Sequence, residues 1–416
     1  MRLLFLAPFA PRRDGTHGGS RAIAELLVRL TERHKVALLH LRGPKEASAD
    51  AALLERCDTV REFARTTPGT LGRFGRRVRA AGALARGTPA EITGSANEEF
   101  SVAVRDVAHR WRPDVVQLEY HLMGTYLPAL ADYPAPRVLR QLEPGAATAR
   151  DRAAHRSGLA RLAGALEERA WERFERKVMA QVRVVVALTD RDVASLKPLA
   201  GGTPIEVIPL GVSPPPRAFN AAGEGAELLF VGNFAHPPNI ESVERLIRGI
   251  FPRVRAQCSD AVLRIVGVNP PAHWQGREAA GVLVTGSVPD VGPFLDRAAV
   301  VLAPLSIGGG MRVKVMEALA GGKAVVATPL ALEGLKVEDG DQVRIGRTDE
   351  ELAQATLELL QHPDRRAAMG RRARTWAIAE LGWERPVAAF ERLYESLLPN
   401  RPDTSAQPSA EGSGRC

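Results

Sequence analysis

The chain has 416 residues, 45% of them apolar and 25% charged, with a formal net charge of +8 and aromatics at 5%. These values exclude global disorder and a small disulfide scaffold, and they give room for two or three domains. A basic chain with few aromatics and no nucleic-acid motif points away from nucleic acid and toward a phosphorylated substrate or an anionic surface.

The apolar start, Met1 to Ala10, carries Pro8 and lacks a small-residue cleavage site, so it reads as a first buried strand. Apolar runs then recur at Val36–Leu41, Val115–Leu118, Val138–Leu142 and Val182–Leu188. A second series runs Leu228–Gly232, Val262–Val266, Val282–Thr285, Val300–Leu305, Ala324–Ala327 and Val343–Ile345. Continuous runs of this length predict strands covered on both faces. Helical spacing between them, as in Ser20–Arg33 and Asn239–Gln257, predicts an α/β protein with two Rossmann-like, doubly wound parallel sheets. The predicted organisation is an N-terminal domain over 1–203, a Pro-rich linker over 204–225, a C-terminal domain over 226–379, a last helix over 380–399 and a disordered tail over 400–416. The segment from Arg61 to Arg86 has seven arginines against one acid, Glu62. It reads either as a solvated helix face or as a basic amphipathic patch for a membrane surface or an anionic acceptor. No run approaches the roughly 18 residues of a membrane span, and Cys57, Cys258 and Cys416 lie far apart with no CxxC spacing. A cytoplasmic protein, at most peripheral on the inner face of the membrane, is expected.

Residues 300–328, VLAPLSIGGGMRVKVMEALAGGKAVVAT, carry the most chemistry. A strand ends at Leu305, the glycines Gly308, Gly309 and Gly310 follow, and a helix runs from about Arg312 to Ala320. Glycines let backbone approach a ligand, and free N–H groups at a helix start favour an anion. Arg312 and Lys314 oppose the helix dipole there, a cost that an anion would offset. Glu317 stands further along, fit to accept hydrogen bonds from a ribose diol. There is no GxxxxGK[ST], and Gly15, Gly18 and Gly19 after the first strand do not form GxGxxG. Asp339-Gly340-Asp341 reads as a turn and Asp190-Arg191-Asp192 as a helix start, so no metal site is predicted.

With these residues in hand, the chain resembles the glycosyltransferases of the family 4 (group 1) type, which have the GT-B fold. The resemblance rests on Pro8…Gly18-Gly19-Ser20-Arg21, Asp114-Val115-Val116, Val207-Ile208-Pro209-Leu210-Gly211-Val212, Leu229-Phe230-Val231-Gly232-Asn233, Ile265-Val266-Gly267, Gly286-Ser287-Val288, Ala303-Pro304-Leu305 and the run Met316 to Thr328. It implies a retaining, metal-independent transfer of a sugar from a nucleoside diphosphate, with UDP- or GDP-sugar as donor. No other cofactor is implied. The acceptor, lipid-linked or anionic, would sit on the N-terminal domain and the donor on the C-terminal one, with the last helix crossing back. Donor contacts would come from Gly18, Gly19, Gly232, Asn233, Gly286, Val288, Gly308, Gly309, Gly310, Met311 and Glu317. Arg312, Lys314, His121 and Glu119 are the catalytic candidates, and Glu143 is a weaker one. The family's usual first glutamate falls at Gly309, and its usual basic pair after the first C-terminal strand has no counterpart near Asn233 and His236. Gly-Gly-Gly-Met-Arg-x-Lys is a recurrent variant, with Arg312 and Lys314 supplying the lost charge. The alternatives are a degenerate nucleotide-sugar-binding protein, kept open by Gly309, and a sugar-nucleotide epimerase or hydrolase. A dinucleotide oxidoreductase lacks its glycine fingerprint.

Overall fold

The computed structural model describes residues 1–15, 18–44, 46–65, 82–83, 85, 87–92, 97–154 and 157–398. Two parallel sheets form from the two apolar series. The first has the order β3-β2-β1-β4-β5-β6-β7. Its strands are β1 (Arg2–Ala7), β2 (Lys35–Arg42), β3 (Thr59–Ala64), β4 (Val115–Glu119), β5 (Arg137–Gln141), β6 (Val184–Ala187) and β7 (Ile205–Val207). The second has the order β10-β9-β8-β11-β12-β13. It comprises β8 (Glu227–Val231), β9 (Val262–Val266), β10 (Val282–Gly286), β11 (Val300–Ala303), β12 (Ala324–Ala327) and β13 (Arg344–Ile345). All pairings are parallel. The central strands are buried on both faces because helices cover them, as with Leu3 to Ala7 of β1. Strand order reverses beside β1 in one sheet and beside β8 in the other, and each reversal opens a crevice at the carboxyl ends of the strands.

Two strands escape the apolar-run criterion. β3 is an edge strand whose residues alternate between half-buried and exposed, so it has no continuous apolar run. Arg61 and Phe63, expected in a helical patch, belong to it, and Arg61 pairs with Asp106 at 3.3 Å. β7 pairs with β6, so the first sheet extends into the stretch read as linker. The rest of the basic segment, with Arg73, Arg76, Arg77, Arg79 and Arg86, lies outside the described residues, as does the tail over 400–416. Among the described residues, no helix is long and apolar enough to cross a membrane.

The last helix, Glu384–Leu397, follows the helix Pro363–Glu380 and returns to the N-terminal domain. Gly211 of the linker packs against Trp383, and the Val212 amide donates to the Leu381 carbonyl at 2.7 Å. The returning helix closes a polar cluster inside the first domain. Tyr394 Oη donates to Gln117 Oε1, and Gln117 Nε2 donates to Glu119 Oε1 at 2.7 Å. Arg140 stands 3.5 Å from Glu119 and lies over the Phe390 ring, 5.3 Å from its centre. Glu119, Arg140 and Tyr394 are each 0% exposed. Glu119 was expected at the sugar or acceptor. Its place in this cluster faces the crossover helix and not the cleft, because β4 points its side chain to that side of the sheet.

Tyr394→Phe removes the one donor that, among the described residues, the returning helix gives this cluster, and strands a buried acceptor. We expect a loss of about 1–3 kcal/mol, read as a lower denaturant midpoint with unchanged slope.

Candidate active site

The glycine loop is fixed at its base by Thr328, whose hydroxyl donates to the Leu305 carbonyl at 2.7 Å. Gly308 and Gly310 have φ of +108° and +70°, a region that favours glycine. A β-carbon on Gly310 would also collide with the Leu142 carbonyl oxygen, just beyond β5. The loop therefore lies against the N-terminal domain as bare backbone. Its amides are partly engaged there. Gly308 N–H donates to Asp151 Oδ2 at 3.3 Å, and Gly310 N–H donates to Asp192 Oδ1 at 3.4 Å. Arg191 donates to the Gly308 carbonyl at 2.9 Å and pairs with Asp151 and Glu333. The expectation that the Gly310 amide is free for a phosphate does not hold in this arrangement.

Under the loop is a cavity of about 220 Å³, lined among others by Gly18, Gly19, Gly232, Asn233, Gly309 and Arg312. Arg312 precedes the helix Val313–Ala320 and donates through Nη1 to the Gly309 carbonyl. Its Nε and Nη2 are buried and have no hydrogen-bond partner among the described residues. Burial lowers its pKa, and Glu143 is the charge that opposes this most. Lys314, also lowered by burial, lies 3.5 Å from Glu317 Oε2. Arg21, from the helix Gly18–Leu30, reaches Glu317 Oε1 at 2.7 Å from the other domain. Arg21 Nε and Nη2 are likewise buried without hydrogen-bond partners among the described residues. In the sequence Arg21 stands out only as part of the motif Gly18-Gly19-Ser20-Arg21. Its place in the first turn of a glycine-started helix is the same signal that singled out Arg312.

A second cavity, of about 330 Å³, continues from Lys314 and Glu317 past Gly267 to Val288. Gly286 ends β10 beside it, with φ of +77°. Met311 is turned partly to the linker, where its sulfur accepts from the Leu210 amide at 3.1 Å.

A third cavity, of about 720 Å³, opens on the N-terminal side between His121, Trp171, Arg65 and Arg152. It meets the first at Tyr120, Glu143, Asn233, His236 and Pro238, which line both. His121 is 6% exposed and stands edge-on to Trp171. The Gln141 amide is oriented by Glu175, to which Nε2 donates at 2.7 Å. Gln141 Oε1 therefore accepts from His121 Nδ1 at 3.1 Å, which assigns the proton to Nδ1 and leaves Nε2 an acceptor. Glu175 also receives the Gly145 and Ala146 amides at the start of the helix Gly145–Ala154, while burial pushes its pKa up to about 7. Burial lowers the His121 pKa to about 4 despite the Gln141 bond.

Against known proteins, residues 225–362 match the family model described as glycosyl transferases group 1. No curated protein matches the chain by sequence. Solved structures match over nearly the whole chain. A sucrose-phosphate synthase from Thermosynechococcus elongatus has a TM-score of 0.71 at 16% identity, covering 95% of this chain and 99% of that one. HepE from Anabaena, solved with UDP, has a TM-score of 0.61 at 14% identity, covering 95% and 100%. A glycosyltransferase from Rickettsia africae has a TM-score of 0.60 at 12% identity, covering 96% and 99%.

His121 should stay neutral, with its proton on Nδ1, from about pH 5 to 8, which a histidine nitrogen NMR titration would read. Because the folded pKa lies below the unfolded value of about 6.5, the unfolded chain binds more protons, and this group costs stability as pH falls from there toward 4. A His121 that titrates near 6.5 in the folded protein would contradict the geometry.

Two parallel-sheet domains meet across a cleft and a crossover helix ties them, so the chain has the GT-B fold, and the match of residues 225–362 to the group 1 glycosyl transferase model supports a transferase.

Proposed function

We propose that this protein moves a glycosyl group from a nucleoside-diphosphate sugar to an acceptor held on the N-terminal side, with retention and without a metal ion. The observation that carries this reading is Arg312, whose Nε and Nη2 are buried beside the cavity with no hydrogen-bond partner among the described residues. A guanidinium in that state is costly unless an anion completes it. A diphosphate does so, and Arg offers it a planar fork. As the bond from the anomeric carbon to the leaving oxygen lengthens, negative charge grows on the diphosphate. Arg312 is already in place to receive it without reorganisation, and Lys314 and Arg21 stand beside it, to be drawn from Glu317. The departing phosphate oxygen then takes the proton of the attacking acceptor hydroxyl on the same face, so the configuration is kept and no protein nucleophile is needed. Retention itself is carried over from the family resemblance.

In this reading Glu317 accepts the ribose hydroxyls, in competition with Arg21 and Lys314, which pair with it. Gly18, Gly19 and Gly309 bring backbone to the phosphates and sugar. Gly232, Asn233, Gly286 and Val288 flank the nucleoside. UDP is the first choice of nucleotide, since HepE was solved with UDP and with UDP-glucose. Arg152 lines the acceptor cavity and makes no ion pair among the described residues, but Glu91, on which its charge acts, lines the same cavity with Glu46 and Glu143, so the lining carries both signs of charge. His121 Nε2 is the acceptor atom available to an incoming hydroxyl. The engagement of the Gly308 and Gly310 amides by Asp151 and Asp192 favours one rival, a protein that holds a nucleotide sugar without turning it over.

Calorimetric titration of UDP, GDP, ADP and dTDP separates these readings. One diphosphate should bind selectively. Arg312→Ala should weaken it by about 10-fold or more, as expected for loss of a charged hydrogen bond of about 1.5–3 kcal/mol, while the corresponding nucleoside is little affected. Glu317→Ala should weaken both. Sugar transfer that survives in both Arg312→Ala and Lys314→Ala would overturn the proposed mechanism. Tight binding with no turnover of any sugar donor would select the binding protein.

A further inference from the structure

Gly309 has no side chain to offer a ligand, and its φ is not in the left-handed region, so its backbone alone does not demand glycine. What borders it is acidic. A β-carbon there would stand 3.4 Å from Asp192 Oδ1, 3.6 Å from Pro144 Cδ and 4.0 Å from Glu143 Cγ. The Leu142–Pro144 turn of the N-terminal domain thus fills the space into which a longer residue at this position would extend.

The two acids there have different occupations. Asp192 is buried and bonded to the loop, through the Gly310 amide, and to its own helix start, through the Asp192 amide and Thr189. Glu143 is half-buried and lines both the cavity under the loop and the large cavity on the N-terminal side. Among the described residues its one hydrogen-bond donor is the Thr148 hydroxyl, at 3.0 Å to Oε1, and it makes no ion pair. Yet it is the acid whose field acts most strongly on Arg312. A carboxylate and a guanidinium therefore line one cavity and act on each other without pairing. The space between them suits a group that is anionic at one end and hydroxylated at the other. A glycosyl phosphate is such a group. Its phosphate would complete Arg312, and its ring hydroxyls would donate to the spare oxygen of Glu143.

Resting on the nucleotide-sugar reading above, we propose that Glu143 is the specificity-determining residue for the transferred sugar. It reaches across from the N-terminal domain and brings a carboxylate to the edge of the loop where Gly309 offers no side chain. A buried or half-buried acceptor built to receive a hydroxyl discriminates strongly between sugars that present one and sugars that do not. Since the carboxylate belongs to one domain and the phosphate cations Arg312 and Lys314 to the other, the sugar is read only when the two domains are together.

The test titrates wild type, Glu143→Gln and Glu143→Ala with UDP, UDP-glucose, UDP-galactose, GDP and GDP-mannose. Wild type should bind the free diphosphate of its donor and should rank the sugars on it. In Glu143→Ala the free diphosphate should bind at least as tightly as in wild type, because a negative charge facing Arg312 is removed, and this also reports a folded site. The preferred sugar nucleotide should lose about 10-fold or more, so that the ranking collapses. Glu143→Gln, which keeps one acceptor oxygen, should fall between. The proposal is overturned if Glu143→Ala keeps the wild-type ranking, if free diphosphate and sugar nucleotide weaken equally, or if wild type does not rank the sugars. A wild type that binds none of the five ligands overturns the donor-site reading itself.

Discussion

The site depends on one close approach: the backbone of Gly308 to Gly310 lies directly on the turn that follows β5 of the other domain. Any side chain on Gly310 would strike the Leu142 carbonyl. Bare backbone is what lets the two sheets face each other with their strand ends almost in contact. Around that point the charges are arranged in pairs that cross the cleft. Arg191 holds the Gly308 carbonyl, Asp192 holds the Gly310 amide, and Arg21 holds Glu317. Each is polar and reversible, unlike the apolar seams inside the domains. Such contacts are weak enough to yield to a ligand that carries its own charge.

The electrostatics of the cavity follow from this enclosure. Arg312 and Lys314 stand where helix dipole, burial and neighbouring cations all act against them. The acids that relieve them, Glu143 and Glu317, touch them loosely or not at all. The pocket is left with donors in excess of acceptors, which is the state that suits an anionic ligand.

Much of this was legible because it is local. The glycine run, the basic pair at a helix start and Glu317 one turn on are one stretch of sequence, and of these Gly309, Arg312, Lys314 and Glu317 line one cavity with Gly18, Gly19, Gly232 and Asn233. What was not legible depends on the side of a sheet or on distant chain. Glu119 and Gln117 end a buried run, and nothing local says that they face a helix whose Tyr394 is 277 positions away. Asp192 read as the start of a helix, which it is, but its second partner lies 118 positions on. β3 and β7 were missed because edge strands need no continuous apolar run. Glu143 was the weaker candidate for the same reason: its importance lies in the cavity it shares, not in its neighbours along the chain.

The crossover helix has a consequence for how the chain is made. Glu119 and Arg140 are laid down in the first domain, yet their cluster is completed only by Phe390 and Tyr394. During synthesis the first sheet can form early, since its strands are all complete by Val207. Its inner charged pair then waits, with one wall open to water, while some 180 further residues emerge and the second sheet assembles. The order of translation therefore makes the N-terminal domain the first to start and the last to finish, and the second domain folds while still tethered to a partner whose core is open.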